Sequence, residues 1–385
     1  MRDYFKEFIK SEQSSGIVLI ICTVISLILA NSALSDSYLG FFKSYIGPES
    51  LGLKLTVVYW INDLLMAVFF LLVGLEIKRE FVNGELSSFK RAILPIFVAI
   101  GGMAVPAIIY TLKNAGTPTA SGWGIPMATD IAFALGIIAL AGKAVPKSLK
   151  VFLVALAVVD DLGAILVIAI FYTANLGITN LMYAGICLVI LFIINRLKVK
   201  NIFIYFIPGI FLWYFVFQSG IHATIAGVLL ALTIPISKRY NDSPLHKLEH
   251  ALHKPVNFLV MPIFALANTA IVLDASFISA LTSNYSLGII LGLFIGKPLG
   301  VFIFTYALIK MKVTNLPQGS SWGQVIGTGF IAGIGFTMSI FICTLAFNDP
   351  EIIERAKLSI LVASLMSGIV GFILLKSASK GKAYV

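Results

Sequence analysis

From Leu162 to Asn195 the chain carries no Asp, Glu, Lys or Arg, and from Asn201 to Ser237 it again carries none. A water-soluble fold cannot hide successive apolar stretches of that length, so the solvent around this chain is lipid. Composition agrees: 59% of residues are hydrophobic and 12% charged, against about 45–50% and about 25% in soluble domains. A water-soluble enzyme is excluded. Each stretch also exceeds the roughly 20 residues that one membrane-crossing helix needs, so each must divide. The punctuation for that is Asn175-Leu176-Gly177 in the first and Gln218-Ser219-Gly220 in the second.

Dividing the whole chain in this way predicts an all-α integral membrane protein with twelve transmembrane helices. They fall at 14–34, 56–82, 92–112, 122–141, 148–173, 179–196, 202–218, 220–236, 254–273, 286–310, 323–347 and 355–376, within a single polytopic domain over 1–385. The segment 1–13 is expected on the membrane surface through Tyr4, Phe5, Phe8 and Ile9. It is not a secretory signal, because Asp3, Glu7 and Glu12 dilute Arg2, Lys6 and Lys10. Cys22, Cys187 and Cys343 lie inside apolar runs without metal-ligand or paired spacing, and are expected as buried fillers.

The basic residues test the count. With twelve spans and both termini on one side, 22 of the 28 Lys and Arg fall in one set of loops and termini. Five fall in the other, namely Lys43, Lys54, Lys113, Arg355 and Lys357, and Lys297 lies inside span ten. That asymmetry predicts cytoplasmic termini. It also excludes nucleic acid as a partner, since the cations mark loops instead of gathering in one aromatic-interleaved patch.

Against this background the informative residues are the mid-span ionisable ones, Asp130, Asp160, Asp161 and Lys297. Each costs about 2.5–3.5 kcal/mol to place at the centre of a bilayer, so a use for them is expected. Ion pairs that merely fix helix packing would tend towards neutrality, whereas here three acids meet one base. Asp160 and Asp161 are adjacent and project about 100° apart on a helix. Two carboxylates so close in a low dielectric cannot both ionise cheaply unless a cation or a proton sits with them, which outlines a cation/proton exchange site.

Two spans are interrupted at mid-membrane. Span four contains Gly124-Ile-Pro126-Met-Ala-Thr129-Asp130, and span eleven contains Gly333-Ile-Gly335-Phe-Thr337-Met-Ser339. Unwound backbone at that depth must be buried or line a cavity, although glycines there also serve close packing. Spans three to five and ten to twelve are separated so that they run in opposite directions. This predicts an inverted-topology repeat over about 92–173 and 286–376, with a discontinuous helix at the middle of each. Crossing half-helices would set like dipole ends together, and Asp130 and Lys297 have the signs to offset the N-terminal and C-terminal ends respectively.

At these residues the chain closely resembles the NhaA family of bacterial Na⁺/H⁺ antiporters. The matching strings are W-I-N-D-L-L-M-A-V-F-F-L-L-V-G-L-E-I-K-R-E at 60–80, P-M-A-T-D-I-A-F-A-L-G at 126–136, L-A-V-V-D-D-L-G-A-I at 156–165, S-G-I-H-A-T-I-A-G-V at 219–228, I-G-K-P-L-G at 295–300 and G-I-G-F-T-M-S-I-F-I at 333–342. The family is known for inverted repeats with broken helices. The resemblance implies that Asp161 is the central cation ligand and proton acceptor, with Asp160 beside it as a second ligand for Na⁺. It implies that Lys297 pairs with Asp160 and that Thr129 and Asp130 belong to the broken-helix assembly. Two protons would exchange for one Na⁺ or Li⁺, without a cofactor, in the bacterial inner membrane.

The resemblance further implies a pH-sensing cluster of Glu76, Arg79, Glu80, Lys247, Glu249 and His250 that opens the cytoplasmic side as it deprotonates. The plainer reading of the same residues is a solvated, charge-rich helix end. His246, His250 and His253 make that region rich in groups titrating near neutrality. His222 is as well explained by a hydrogen bond as by pH response, and Asp63 reads as a polar contact or a cap. The segment from Ser35 to Thr56 corresponds to an outer hairpin that supports a homodimer in the family. Among rival functions, an intramembrane aspartyl protease lacks its Tyr-Asp and Gly-x-Gly-Asp settings here, a channel would need filter repeats or acid rings, and a sodium-coupled symporter would carry an organic substrate and no protons.

Overall fold

A computed structural model describes residues 13–142, 145–173, 176–237, 243–273 and 280–380. The surface segment expected at 1–13 lies almost wholly outside the described residues, and so does Asn175 of the expected break. In chain order the first elements are α1 (Gln13–Ala30), α2 (Ser35–Lys43), the strands β1 (Tyr45–Ile46) and β2 (Leu55–Thr56), and α3 (Val57–Asn83) with a π turn at Ile61–Leu65. Then come α4 (Phe89–Asn114), a 3-10 segment (Ala120–Met127), α5 (Ile131–Ala141), α6 (Lys147–Phe171), α7 (Ile178–Arg196), α8 (Phe203–Gln218) and α9 (Thr224–Thr233). The rest comprises α10 (Pro244–Pro255), a π turn (Val256–Val260), α11 (Met261–Asn268), α12 (Asn284–Lys310), α13 (Trp322–Ala332), α14 (Phe336–Ala346) and α15 (Pro350–Lys380).

Among the described residues seven stretches are long and apolar enough to cross a membrane, the 3-10 segment with α5 counting as one of them, and nine if two bent pairs each count as one. The bent pairs are α1 with α2, at 111°, and α13 with α14, at 43°. The apolar helices α8 and α9 are shorter. The chain is thus a multi-pass helical membrane protein, and the one departure from all-α architecture among the described residues is the antiparallel pair of β1 and β2, with Tyr45 opposite Thr56 and Ile46 opposite Leu55.

Helix α7 shows how lipid as solvent changes the meaning of burial. Its buried residues are Ala184, Cys187 and Leu191, a stripe at helical spacing, while Met182, Val189 and Ile193 are more than half exposed. An apolar outer face carries no penalty in lipid, so packing contacts rather than polarity select the inner face. Cys187 and Cys343 are buried as expected, and Cys22 is only partly so, because it lies beside exposed Ile20 and Ile21 on α1.

The described chain resolves into two compact units. One comprises Met1–Leu27, Ser88–Ala164 and Ile271–Val385; the other comprises Ile28–Ser87 and Ile165–Ala270. In the first, α4 and α12 approach so closely that a Cβ on Gly300 would lie 2.2 Å from the Gly101 carbonyl oxygen. In the second, a Cβ on Gly227 of α9 would lie 2.1 Å from the Ala67 carbonyl oxygen of α3. Only glycine permits either crossing.

The helix in the expected span 220–236 is confined to Thr224–Thr233. Its end is set by tertiary partners that take the last carbonyls. Lys78 Nζ donates to the Leu232 and Ile234 carbonyls at 2.7 and 2.6 Å, and Asn195 Nδ2 donates to that of Thr233 at 2.7 Å. With those groups satisfied from outside, the chain can turn extended at Ile234, just before Pro235.

Candidate functional site

In the first unit the expected interruptions of spans four and eleven are both non-helical, at Ala128–Asp130 and Gly333–Gly335. Each break leaves backbone groups that water cannot reach, and each satisfies the other. The Asp130 N–H donates to the Ile334 carbonyl at 2.7 Å, and the Ser339 hydroxyl donates to the Ile125 carbonyl at 2.8 Å. Glycine is required at the contact, since a Cβ on Gly333 would lie 2.4 Å from the Leu293 carbonyl oxygen.

Asp130 is the N-cap of α5, its Oδ1 accepting the Phe133 N–H at 3.0 Å. Its Oδ2 accepts the Thr337 N–H at 3.2 Å and the Thr337 hydroxyl proton. Thr337 belongs to the first turn of α14. A single carboxylate therefore serves the N-terminal ends of two helices, where unpaired amides and aligned peptide dipoles both favour negative charge.

Lys297 sits directly after the π turn Gly292–Gly296 of α12, with its side chain fully enclosed. Its ammonium donates to the carbonyl of Met127, the last residue of the 3-10 segment, and lies 2.7 Å from Asp160 Oδ2. Positive charge thus meets the carbonyl end of a helical segment. Thr129 Oγ1 lies 2.8 Å from the same Asp160 oxygen and 2.9 Å from the Ala332 carbonyl; its one proton can serve a single acceptor at a time. Asp160 Oδ1 is buried with no hydrogen-bond partner among the described residues. Asp161, the next residue on α6, is 2% exposed.

All five predicted transport residues thus fall in one unit. Thr129 and Asp160 meet through their oxygens, a donor type that suits a hard cation, an ammonium is already seated on Asp160, and Asp161 follows it on α6. Thr337 and Ser339 were not singled out by sequence reasoning, although both lie within the interrupted stretch of span eleven. The signal was there: a hydroxyl two or four residues past a helix-breaking glycine is placed to serve freed backbone and side-chain groups.

The second unit holds the charged cluster. Arg79 Nε is 2.9 Å from Glu249 Oε1, and an Arg79 guanidinium nitrogen is 2.8 Å from Glu80 Oε1. Glu80 also accepts the Glu85 N–H at 3.0 Å, and Glu76 lies within electrostatic reach of Glu249, Arg79 and Glu80. Lys247 and His250 are exposed and stand on the outer side of the amphipathic helix α10, whose buried face carries Leu245, His246 and Leu248. His246 has the greater physical claim to pH response: burial lowers its imidazole from its ordinary value, Glu249 pulls it up and Arg79 pushes it down. His222 Nε2 contacts the Tyr172 carbonyl at 2.8 Å. Asp63 is buried inside the π turn of α3 and is not a cap.

A membrane-embedded pair of broken helices, tied by a carboxylate and an ammonium beside two further acids, defines an ion-transport protein and not an enzyme. The chain belongs to the Na⁺/H⁺ antiporter 1 family, whose model matches residues 6–375. It is 54% identical over 381 residues to the Na⁺/H⁺ antiporter NhaA 2 of Flavobacterium johnsoniae, covering 98% of this chain and 93% of that protein. It is 54% identical over 376 residues to the NhaA antiporter of Flavobacterium psychrophilum, covering 98% and 96%. Identity to the NhaA 1 antiporter of Clostridium beijerinckii is 49% over 382 residues, covering 98% and 96%.

Proposed function

We propose that this protein exports Na⁺ or Li⁺ in exchange for protons by alternating access, with cation and protons competing for Asp160 and Asp161. The observation that carries the reading is the Lys297–Asp160 contact at 2.7 Å in full enclosure. An ammonium seated on a cation ligand is a resident substitute for cargo: a metal ion arriving at Asp160 must displace it, and an ammonium so displaced into a low dielectric sheds its proton. Asp161 supplies the second acidic site, so two protons leave for each monovalent cation bound and one net charge moves per cycle. Turnover then couples to membrane potential at about 2.3 kcal/mol per 100 mV.

The same reading takes twelve spans with an inverted repeat over about 92–173 and 286–376, and cytoplasmic termini in a bacterial inner membrane. The loop asymmetry of 22 basic residues against five supports that orientation. Arg79, Glu80, Glu249 and Glu76 set the pH range of activity, and the hairpin of β1 and β2 contributes to a homodimer. The family's antiporter name and the motif strings support these assignments.

Proteoliposomes with an acidic lumen, sealed around the purified protein, test the proposal. External Na⁺ or Li⁺ should change lumenal pH with a sign and magnitude that depend on an imposed potential. A pH signal that ignores the potential would remove electrogenicity, and no signal with either ion would remove antiport itself.

A further inference from the structure

The first unit carries a groove of about 450 Å³ on its surface. Its walls are α1, α5, α14 and α15, and the residues that shape it are Val24, Phe133, Ile137, Phe336, Leu365 and Gly368. The polar atoms in the lining have partners: Thr23 Oγ1 donates to the Leu19 carbonyl at 2.8 Å, and Ser364 Oγ accepts the Phe336 N–H at 3.1 Å. Among the described residues no charged side chain lines it. The occupant must therefore be hydrocarbon, because any polar group inside would go unpaired.

Three observations point to a lipid tail. The chain crosses a membrane, and the groove opens among Ile20, Val24, Leu140, Leu365 and Ile369, all more than two-fifths exposed, so bilayer lipid is the apolar molecule at its mouth. Along α15 the lining runs from Leu361 to Phe372, about 16 Å at 1.5 Å per residue, close to half of a hydrocarbon core of about 30 Å. One leaflet's acyl chain has that reach. The floor is kept open by Gly368, where a Cβ would lie 2.9 Å from Ile137.

The position gives the groove its interest. Phe133 and Phe336 stand in the first turns of α5 and α14, the helices that resume after the two breaks, and their rings pack edge to face at 5.4 Å. The Asp130 carboxylate joins the same two turns through the Phe133 and Thr337 amides. Whatever lies in the groove touches the outer side of the junction whose inner side holds the charged site. We propose that the groove seats one acyl chain of a bilayer lipid against the two half-helices, and that its occupancy sets the rate of antiport. The rate part rests on the antiport reading; the binding part does not.

Two measurements test it. Leu365→Trp, reconstituted with brominated phosphatidylethanolamine and then exchanged into detergent, should keep more quenching over the parent protein than Ile186→Trp on the exposed face of α7. Equal loss at both positions would overturn the binding site, whether or not transport is seen. For the rate, the parent protein should differ about fivefold between dilauroyl and dioleoyl phosphatidylethanolamine–phosphatidylglycerol vesicles, the lower end of coupling between two sites. The filled variant Val24→Trp/Leu140→Trp should lose that dependence while melting as the parent does. An unchanged dependence in the filled variant would overturn the coupling, whereas absent Na⁺-driven pH change in every protein would count against antiport alone.

Discussion

Asp160 and Lys297 meet at 2.7 Å with both side chains fully enclosed, whereas Arg79 and Glu249 meet at 2.9 Å with 31% and 15% of their side chains exposed. Contact distance barely separates the two pairs; access to solvent does. An enclosed pair is held because each partner, alone, would be an uncompensated charge in a low dielectric. A partly exposed pair has water as an alternative partner, so its making and breaking involve a small free energy. Fixed geometry suits a site that must select its occupant, and a small free energy suits a cluster that responds to proton concentration.

The comparison breaks first at its most enclosed carboxylates. Asp161→Asn should reduce Na⁺-driven proton flux to background with the melting profile retained; flux at the parental rate would move the site elsewhere. Lys297→Ala should cost about 3–5 kcal/mol of stability, since Asp160 keeps its burial and loses its partner. Calorimetry or thermal melting in detergent checks this, and the double variant Asp160→Asn/Lys297→Ala should recover much of the loss. A single variant as stable as the parent would contradict the pairing. Asp130→Asn keeps an acceptor at one helix end, sets an NH2 donor against the other and removes the charge, a loss of about 1–3 kcal/mol by the same measurement.

Two smaller effects sharpen the other side. Arg79→Gln should alter stability by less than about 1 kcal/mol, as partly exposed pairs do, while displacing the pH profile of antiport. A stability loss as large as that of Lys297→Ala would erase the difference between the enclosed and the partly exposed pair. His246 gives the sign of a pH effect. Its imidazole is lowered in the folded chain, so between that lowered value and the ordinary 6.5 the unfolded chain binds the extra proton. Stability therefore falls as pH drops through about 6.5, and the loss is complete below the lowered value. His246→Gln should flatten that part of a melting-temperature profile; an identical slope would show that burial of His246 has no part in it.

Much of the site was legible because a charge in an apolar run has no ordinary explanation. Asp130, Asp160, Asp161 and Lys297 stand out from sequence for that reason, and the glycine and proline interruptions stand out because helices are otherwise continuous. Lys78 did not stand out. It reads as one more basic residue at a helix end, and its partners are backbone carbonyls of α9, which leave no mark in the identity of residues 232 and 234. The exposed position of Lys247 and His250 beside buried His246 was equally hidden, since α10 needs its packing partners before its faces acquire meaning.

The sequence by itself determined that the chain lives in lipid, where its helices break, and which charges lie inside it, because burial of a charge or an unwound peptide in hydrocarbon is penalised whatever the neighbours are. Only the tertiary structure decided that the Met127 carbonyl shares the lysine with Asp160, that one aspartate serves the ends of two helices, and that α9 stops at Thr233. Those outcomes depend on backbone groups contributed from segments distant in sequence, and every residue but proline carries the same amide and carbonyl.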